Sequence, residues 1–216
     1  MSLQVMLSQL SAGMATTIMI FVFTLLFSLP LGLVVAFGRM SQNVIIRSLA
    51  KIYISVMRGT PLMLQLLVVY FGPYYILGMS ISSSYRAYAV IIAFTINYAA
   101  YFAEIYRGGI ESMPQGQYEA ARVLGYTKSQ TFFKIILPQV IKRILPSITN
   151  EVITLVKDTS LAFSIAYAEM FTIAKSLAAS QRSMIPFIAA ALFYYIFNLI
   201  VAEIMEYWEK KMNYYN

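Results

Sequence analysis

The amino-terminal 38 residues contain no charged side chain, and the first is Arg39. Within this stretch, the apolar run from about Gly13 to Phe37 exceeds the roughly 20 residues that a helix needs to cross a bilayer. The run lacks the basic segment that opens a cleaved signal peptide, so we expect it to be retained as a span. We expect Pro30 and Gly32 to kink it. Such a run needs lipid around it, and the first prediction is an integral membrane protein.

The composition agrees with a membrane protein and removes several classes of enzyme. Only 12% of the residues are charged and 60% are hydrophobic, whereas soluble domains carry about 25% charged residues. The sequence contains no cysteine and no histidine. Disulfides and thiolate metal sites are therefore excluded, and catalysis that depends on histidine lacks its base and its metal ligand. We predict no metal site and no cofactor in this chain.

Four further segments are long and apolar enough to cross a bilayer. The last but one is the most polar, since it contains Glu151, Lys157 and Asp158. A break is expected at Gly72-Pro73, near the outer end of the second span. The sequence thus predicts a single all-α integral membrane domain, 1–216, with five transmembrane helices. The predicted spans are 13–37, 59–80, 87–106, 146–167 and 183–205, and a long inner loop covers 110–139.

Lys and Arg are distributed unequally between the loops on the two sides. With the amino terminus outside, twelve basic residues lie in the inner loops and the carboxy-terminal tail, against three in the outer loops. Basic residues accumulate in cytoplasmic loops, so we expect an outer amino terminus and a cytoplasmic carboxy terminus. The net charge of +7 could instead indicate nucleic-acid binding, but the basic residues are spread over three segments rather than forming one patch. We therefore predict no nucleic-acid partner.

The inner loop between the third and fourth spans is amphipathic and carries signals for two short helices. Pro114 suits the first turn of a helix, and Gly125 tolerates the left-handed conformation that ends one. Thr127 and Gln130 form a capping box that opens a second helix, which we expect to end at Pro138. The prediction is a helix–turn–helix on the cytoplasmic face of the membrane.

This loop also resembles a known family. Its sequence EAARVLGYTKSQTFFKIILP, Glu119–Pro138, is similar to the E-A-A-x3-G-x9-I-x-L-P loop of permease subunits in ATP-binding-cassette importers. Three other stretches resemble the polar amino-acid branch of that family, the histidine, glutamine and arginine permeases. They are RGTPL at Arg58–Leu62, AYFAEIYRGG at Ala100–Gly109 and KDTSL at Lys157–Leu161.

The resemblance implies a type I importer fold like that of methionine permeases, with cytoplasmic coupling helices that dock on an ATPase. It assigns ATPase coupling to Glu119, Ala120, Ala121 and Gly125. The other implied partners are a second permease subunit, identical or different, and an extracytoplasmic solute-binding protein, all at the bacterial inner membrane. The chain has no G-x-x-x-x-G-K-[ST] loop, so we expect a separate ATPase subunit to bind ATP and Mg, and this chain not to be an enzyme. The alternative for the loop is a pair of surface helices without a partner.

Polar and ionisable residues inside a span are energetically costly, so each one suggests a function. Six residues of the third and fourth spans are candidates for a mid-membrane amino-acid site. They are Asn97, Tyr101, Glu104, Lys157, Asp158 and Ser160. We expect the acids to accept an ammonium group, the lysine or a helix N-terminus to meet a carboxylate, and the amide and the hydroxyl to form hydrogen bonds.

A structural alternative exists for the charged candidates. Lys157 could neutralise Asp158 or Glu151 within the span. Glu104 could likewise pair with Arg107, three residues later on the same helix.

The predicted function is the transmembrane subunit of an ATP-driven importer that forms the pathway for a polar amino acid. The acidic residues slightly favour a basic amino acid, such as arginine, lysine or histidine, and glutamine stays open. An ion-coupled secondary amino-acid transporter is the first alternative, and internal inverted repeats would favour it. A non-transporting membrane scaffold subunit is the second, and it leaves the intramembrane charges unexplained.

Overall fold

The computed structural model describes residues 2–212, and every regular element in that range is helical. A π-helical turn, Phe132–Ile136, and a 3-10 helix, Thr159–Ile165, flank the seventh α-helix. The α-helices, in chain order, are α1 Leu3–Arg39, α2 Val44–Gly59, α3 Leu62–Leu77, α4 Tyr85–Glu111, α5 Gln115–Val123, α6 Lys128–Thr131, α7 Leu137–Asp158, α8 Met170–Gln181 and α9 Ile185–Met212.

Five membrane crossings follow from these helices. In the described range, α1, α4 and α9 are each long and apolar enough to cross a membrane. The pair α2–α3 forms a broken crossing bent by 109°, and the segment from α6 to the 3-10 helix forms another with α8, bent by 58°. The all-α, five-span fold is therefore as predicted, but two of its spans are broken.

The helices α1 and α4 form the central contact of the bundle. Gly32 of α1 lies so close to α4 that an added Cβ would sit 2.9 Å from the Phe102 Cβ and 3.0 Å from the Ala99 carbonyl oxygen. Small residues allow such close approach between membrane helices, where packing rather than water exclusion drives association. The helix α1 continues without interruption through Pro30, and it begins at Leu3, ten residues before the predicted span.

The predicted break at Gly72-Pro73 is wrong, because α3 continues through Pro73 to Leu77. A proline removes the hydrogen bond that its nitrogen would donate to the carbonyl four residues earlier. Here that carbonyl belongs to Val69, and it accepts a hydrogen bond from the Tyr85 hydroxyl at 3.1 Å. A donor from α4 thus replaces the missing backbone donor. The break in this crossing lies instead between α2 and α3, at Thr60 and Pro61.

The fourth span also differs from its prediction. The helix that opens at Thr127 does not end at Pro138; it widens into the π-turn and continues as α7 to Asp158. Because Pro138 cannot donate a backbone hydrogen bond and its ring crowds the preceding turn, a widened turn just before it keeps the helix continuous. The predicted span 146–167 therefore begins too late.

The region predicted as an outer loop after residue 167 is mostly the helix α8. Its buried face, which includes Met170, Ala174 and Leu177, packs with the first turns of α1 and with α9. Its charged residues Lys175 and Arg182 are exposed. Those charges lowered the apparent hydrophobicity of the segment and concealed an apolar face.

The contact between α1 and α4 gives the first prediction. Replacing Gly32 with Ala should force the two backbones apart and cost about 1–3 kcal/mol of stability, as overpacked cores do. The control is Gly72→Ala in α3, where the nearest atom to an added Cβ is the Ile76 Cδ1 at 3.9 Å. The measurement is the melting temperature of the purified protein in detergent. Equal melting temperatures for both variants would contradict the close packing.

Candidate functional site

Asn97 belongs to a buried polar cluster at the bend between α2 and α3. Its side-chain nitrogen donates to the Gln65 Oε1 at 2.9 Å and to the Met57 carbonyl oxygen at 3.1 Å. Gln65 in turn donates to the same carbonyl at 2.9 Å and to the Thr60 Oγ1 at 2.8 Å. Helix ends leave carbonyls without intrahelical donors, and these two amides supply them for α2. We call Asn97, Gln65, Met57 and Thr60 the elbow cluster.

The two polar faces predicted on the third and fourth spans meet through a residue that was not predicted. The Tyr98 hydroxyl of α4 donates to the Asp158 Oδ2 at the end of α7, at 2.7 Å. Tyr98 is 2% exposed, and its ring lies 6.2 Å from that of Tyr101. The candidates Asp158 and Tyr101 are therefore joined by one buried tyrosine.

A second group of contacts surrounds Glu104. Arg107 donates to Glu104 from Nε and Nη2, the latter at 2.6 Å, which is the structural pairing foreseen for these residues. Arg107 also pairs with Glu111. Arg58, carried on the last turn of α2, lies 3.9 Å from Glu104 and 5.3 Å from the centre of the Tyr101 ring. Glu104 is thus already neutralised by two arginines in this conformation.

The remaining candidates lie where α7 ends. Within residues 2–212 no ion pair joins Lys157 to an acid, so the structural pairing suggested for it with Asp158 or Glu151 is not observed. Lys157 is exposed in the isolated chain. The Ser160 hydroxyl donates to the Lys157 carbonyl at 2.7 Å. Glu151, two turns earlier on α7, is partly buried, and no hydrogen bond or ion pair to another described residue holds its carboxylate.

Glu169 occupies the N-terminus of α8 and is fully buried. Its carboxylate accepts the backbone N–H groups of Phe171 and Thr172, both at 2.7 Å, and the Tyr194 hydroxyl at 3.0 Å. The N–H group of Met170 donates to a hydroxyl of α1 at 3.3 Å. The N-terminus of this half-helix is therefore satisfied internally, and it is not open to a substrate carboxylate.

The inner loop has the geometry that its sequence predicted. The Thr127 Oγ1 accepts the Gln130 N–H, and the Gln130 side chain accepts the Thr127 N–H at 3.0 Å. Gly125 is left-handed with φ +78°. Pro114 is the N-cap residue of α5 rather than part of its first turn. Two helices, α5 and α6, therefore meet at the tip Leu124–Thr127.

The surface of this tip is apolar and exposed. Val123 and Leu124 are 88% and 73% exposed, and the candidate coupling residues Glu119 and Ala120 are exposed as well. Ala121 is instead 1% exposed, so it supports the loop from within. A pair of large apolar side chains at the tip of a loop outside the membrane is typical of a docking surface.

Sequence reasoning missed Tyr98, Gln65 and Glu169. Tyr98 stands next to the recognised Asn97 and one turn before Tyr101, so its position on the polar side of α4 was visible. Glu169 precedes an apolar-faced helix, as an N-cap residue does. Gln65 gave no signal, because its partner Asn97 is 32 residues away.

Comparison with known proteins follows from this geometry. Residues 28–214 match the family described as the inner membrane component of binding-protein-dependent transport systems. The chain belongs to this family. Its members are permease subunits rather than enzymes, and they reside in the inner membrane.

Two curated relatives cover nearly the whole chain. The L-cystine transport system permease protein TcyB of Bacillus subtilis is 34% identical, over 95% of this chain and 87% of its own length. The arginine transport system permease protein ArtQ of the same organism is 37% identical, over 93% and 90%. The resemblance to amino-acid permeases, predicted from four short motifs, is confirmed.

Two solved structures share the fold. A crystal structure of an amino acid ABC transporter with histidines matches with a TM-score of 0.87 and 32% identity, over 98% of this chain and 99% of that one. An inward-facing structure of the MetNI methionine ABC transporter matches with a TM-score of 0.74 over 99% and 100%, at 19% identity. The type I importer fold, like that of the methionine permease, is therefore confirmed.

The elbow cluster gives a prediction that separates a structural role of Asn97 from a role in binding. Asn97→Ala leaves the Gln65 Oε1 and a share of the Met57 carbonyl without donors, and it should cost about 1–3 kcal/mol of stability. The KM for uptake by the folded fraction should change little. The control is Asn150→Ala on the exposed side of α7. A large rise in KM with unchanged melting temperature would show that Asn97 contacts the cargo instead.

Proposed function

We propose that this chain is the transmembrane subunit of an ATP-driven importer of a polar amino acid, with a lean towards basic amino acids. The observation that carries the proposal is the continuous helical segment from Lys128 to Asp158. It begins beside the exposed tip at Leu124 and ends at the candidate cargo site. One rigid element thus connects the surface suited to an ATPase with the residues suited to an amino acid.

The length of this segment explains how the two sites are coupled. At roughly 1.5 Å per residue, it spans about 45 Å. A displacement of the tip by the ATPase is therefore transmitted to Asp158 without passing through a flexible loop. The π-turn before Pro138 is the one irregular place in the segment, and such turns occur often at functional sites.

The cargo site that we propose lies between α4 and the end of α7. Asp158, already held by Tyr98, accepts the α-amino group of the cargo, and Lys157 receives its carboxylate, since the N-terminus of α8 is filled by Glu169. Glu151 lies about 10 Å before Asp158 along α7. An extended basic amino acid places its two cationic groups near these two acids. Tyr101 and Ser160 border the same region.

The remaining assignments follow from the family and from the distribution of charge. Twelve basic residues lie at the end of the bundle that holds the 110–139 loop, which places that end in the cytoplasm and the amino terminus outside. A second permease subunit completes the pathway, a solute-binding protein delivers the cargo, and the ATPase subunits bind ATP and Mg. In this proposal the permease chain holds no cofactor of its own.

The docking surface gives a prediction about the ATPase. Leu124→Asp puts a charge on an apolar tip and should reduce recovery of the ATPase subunit with the permease by roughly tenfold, as loss of a central interface contact does. The fold should be unaffected, because Leu124 is exposed. Ser129→Asp, an exposed polar position on α6, is the control. Co-purification of the ATPase subunit in equal amounts with both variants would contradict docking at this tip.

The cargo site gives a prediction about specificity. Asp158→Asn should raise the uptake KM for every amino acid transported, roughly tenfold or more, because the α-amino group is common to all of them. Glu151→Gln should raise the KM for a basic amino acid and leave that for glutamine unchanged. Glu203→Gln on the exposed side of α9 is the control.

Three results are informative for uptake by these variants. Wild-type KM values in both Asp158→Asn and Glu151→Gln would remove these acids from the site. An unchanged KM for arginine in Glu151→Gln alone would remove the lean towards basic cargo. Equal melting temperatures of the variants, measured in parallel, establish that the changes in KM reflect binding rather than folding.

A further inference from the structure

A groove of about 1140 Å³ lies outside the proposed pathway, between the start of α7, the end of α9 and the first part of the 110–139 loop. It is at the end of the bundle that carries most of the basic residues. Its floor is apolar, and its charged lining residues in the described range are all cations. These cations are Lys142, Arg143 and Lys211.

The apolar side of the groove continues along the membrane-facing surface of α9. Ile200, Ile204 and Trp208 follow one another at intervals of four residues and share one helical face with Lys211. Their exposed fractions are 50%, 52% and 45%, so this stripe is open to lipid. The Lys211 Nζ lies 5.4 Å from the centre of the Trp208 ring. Tryptophan is enriched at the level of lipid headgroups, which places the groove at that depth.

The acids nearest in the sequence are engaged elsewhere. Glu209 accepts a hydrogen bond from the Thr149 hydroxyl, and Glu206 forms an ion pair with Lys210. Neither lines the groove. Within residues 2–212 no ion pair joins Arg143 or Lys211 to a carboxylate. Two cations from two different helices therefore face one cavity without a described counter-charge.

We propose that this groove binds an anionic phospholipid of the adjacent leaflet. The phosphate lies between Arg143 and Lys211, and an acyl chain follows Trp208, Ile204 and Ile200 along α9. Basic pockets between membrane helices on the cytoplasmic side suit anionic headgroups, and the planar guanidinium of Arg143 matches a phosphate by two parallel hydrogen bonds. A zwitterionic lipid fits less well, because its own cation would meet the cations of the groove.

The lipid site would tie α9 to the segment that joins the ATPase tip to the cargo site. Arg143 is on α7, which is continuous with α6, and Lys211 is on α9. A phosphate held by both residues therefore restrains the movement of α7 against α9. Anionic lipid is expected to stabilise the complex and to change its ATPase activity, beyond any role of the groove in transport of the cargo.

The test uses the purified permease–ATPase complex and lipid titration by native mass spectrometry. Phosphatidylglycerol and phosphatidylcholine with the same acyl chains are compared in the wild type, in Arg143→Gln/Lys211→Gln and in Arg47→Gln/Lys51→Gln. The last variant removes two exposed charges from α2, at the same end of the bundle but outside the groove. We expect the groove variant to bind phosphatidylglycerol on the order of tenfold more weakly, with phosphatidylcholine unchanged and the α2 variant like the wild type.

Several outcomes would overturn the lipid site. Equal weakening in the two charge variants would reduce it to a general attraction between basic residues and anionic lipid. Full retention of phosphatidylglycerol by the groove variant would remove it. Displacement of the lipid by millimolar inorganic phosphate would show that a soluble anion is the ligand. Loss of the ATPase subunit from the groove variant, with lipid binding intact, would show that the groove is part of the ATPase interface. None of these results depends on the identity of the cargo.

Discussion

In lipid, each backbone N–H and C=O group must find a partner within the protein, and this constraint governs the two places where the spans of this chain are broken. At the bend between α2 and α3, the side chains of Gln65, Asn97 and Thr60 supply donors to the last carbonyls of α2. At the break before α8, the carboxylate of Glu169 accepts the first N–H groups of the new helix. Both breaks persist because buried polar side chains replace the missing helical hydrogen bonds.

These two breaks place the residues of the candidate site. The α2–α3 bend carries Arg58 to within 3.9 Å of Glu104 and against Tyr101. The other break ends α7 at Asp158, where Tyr98 reaches it from α4. The polar residues thus divide into those that hold the backbone and those whose polar groups remain available. Broken helices at membrane depth are tolerated where they are covered by protein or line a cavity, and both conditions suit a transport pathway.

Local patterns predicted the parts of the fold that depend on local interactions. The apolar runs gave the number of crossings, and Thr127, Gln130 and Gly125 gave the turn of the inner loop, because a capping box and a left-handed glycine involve only neighbouring residues. The continuity of α3 through Pro73 depends on Tyr85, and the role of Asn97 depends on Gln65. Partners so distant in sequence leave no periodic signal, which is why the predicted break was wrong and the elbow cluster was missed.

The central claim is that ATP, acting through the Lys128–Asp158 segment, drives uptake into the cell. The most direct measurement is uptake of labelled arginine into proteoliposomes that contain the permease–ATPase complex, with the solute-binding protein outside and ATP trapped inside. The account predicts accumulation above the outside concentration that requires internal ATP and persists when ionophores collapse all ion gradients. Accumulation that proceeds without ATP and is abolished by ionophores would contradict it, and would identify an ion-coupled transporter.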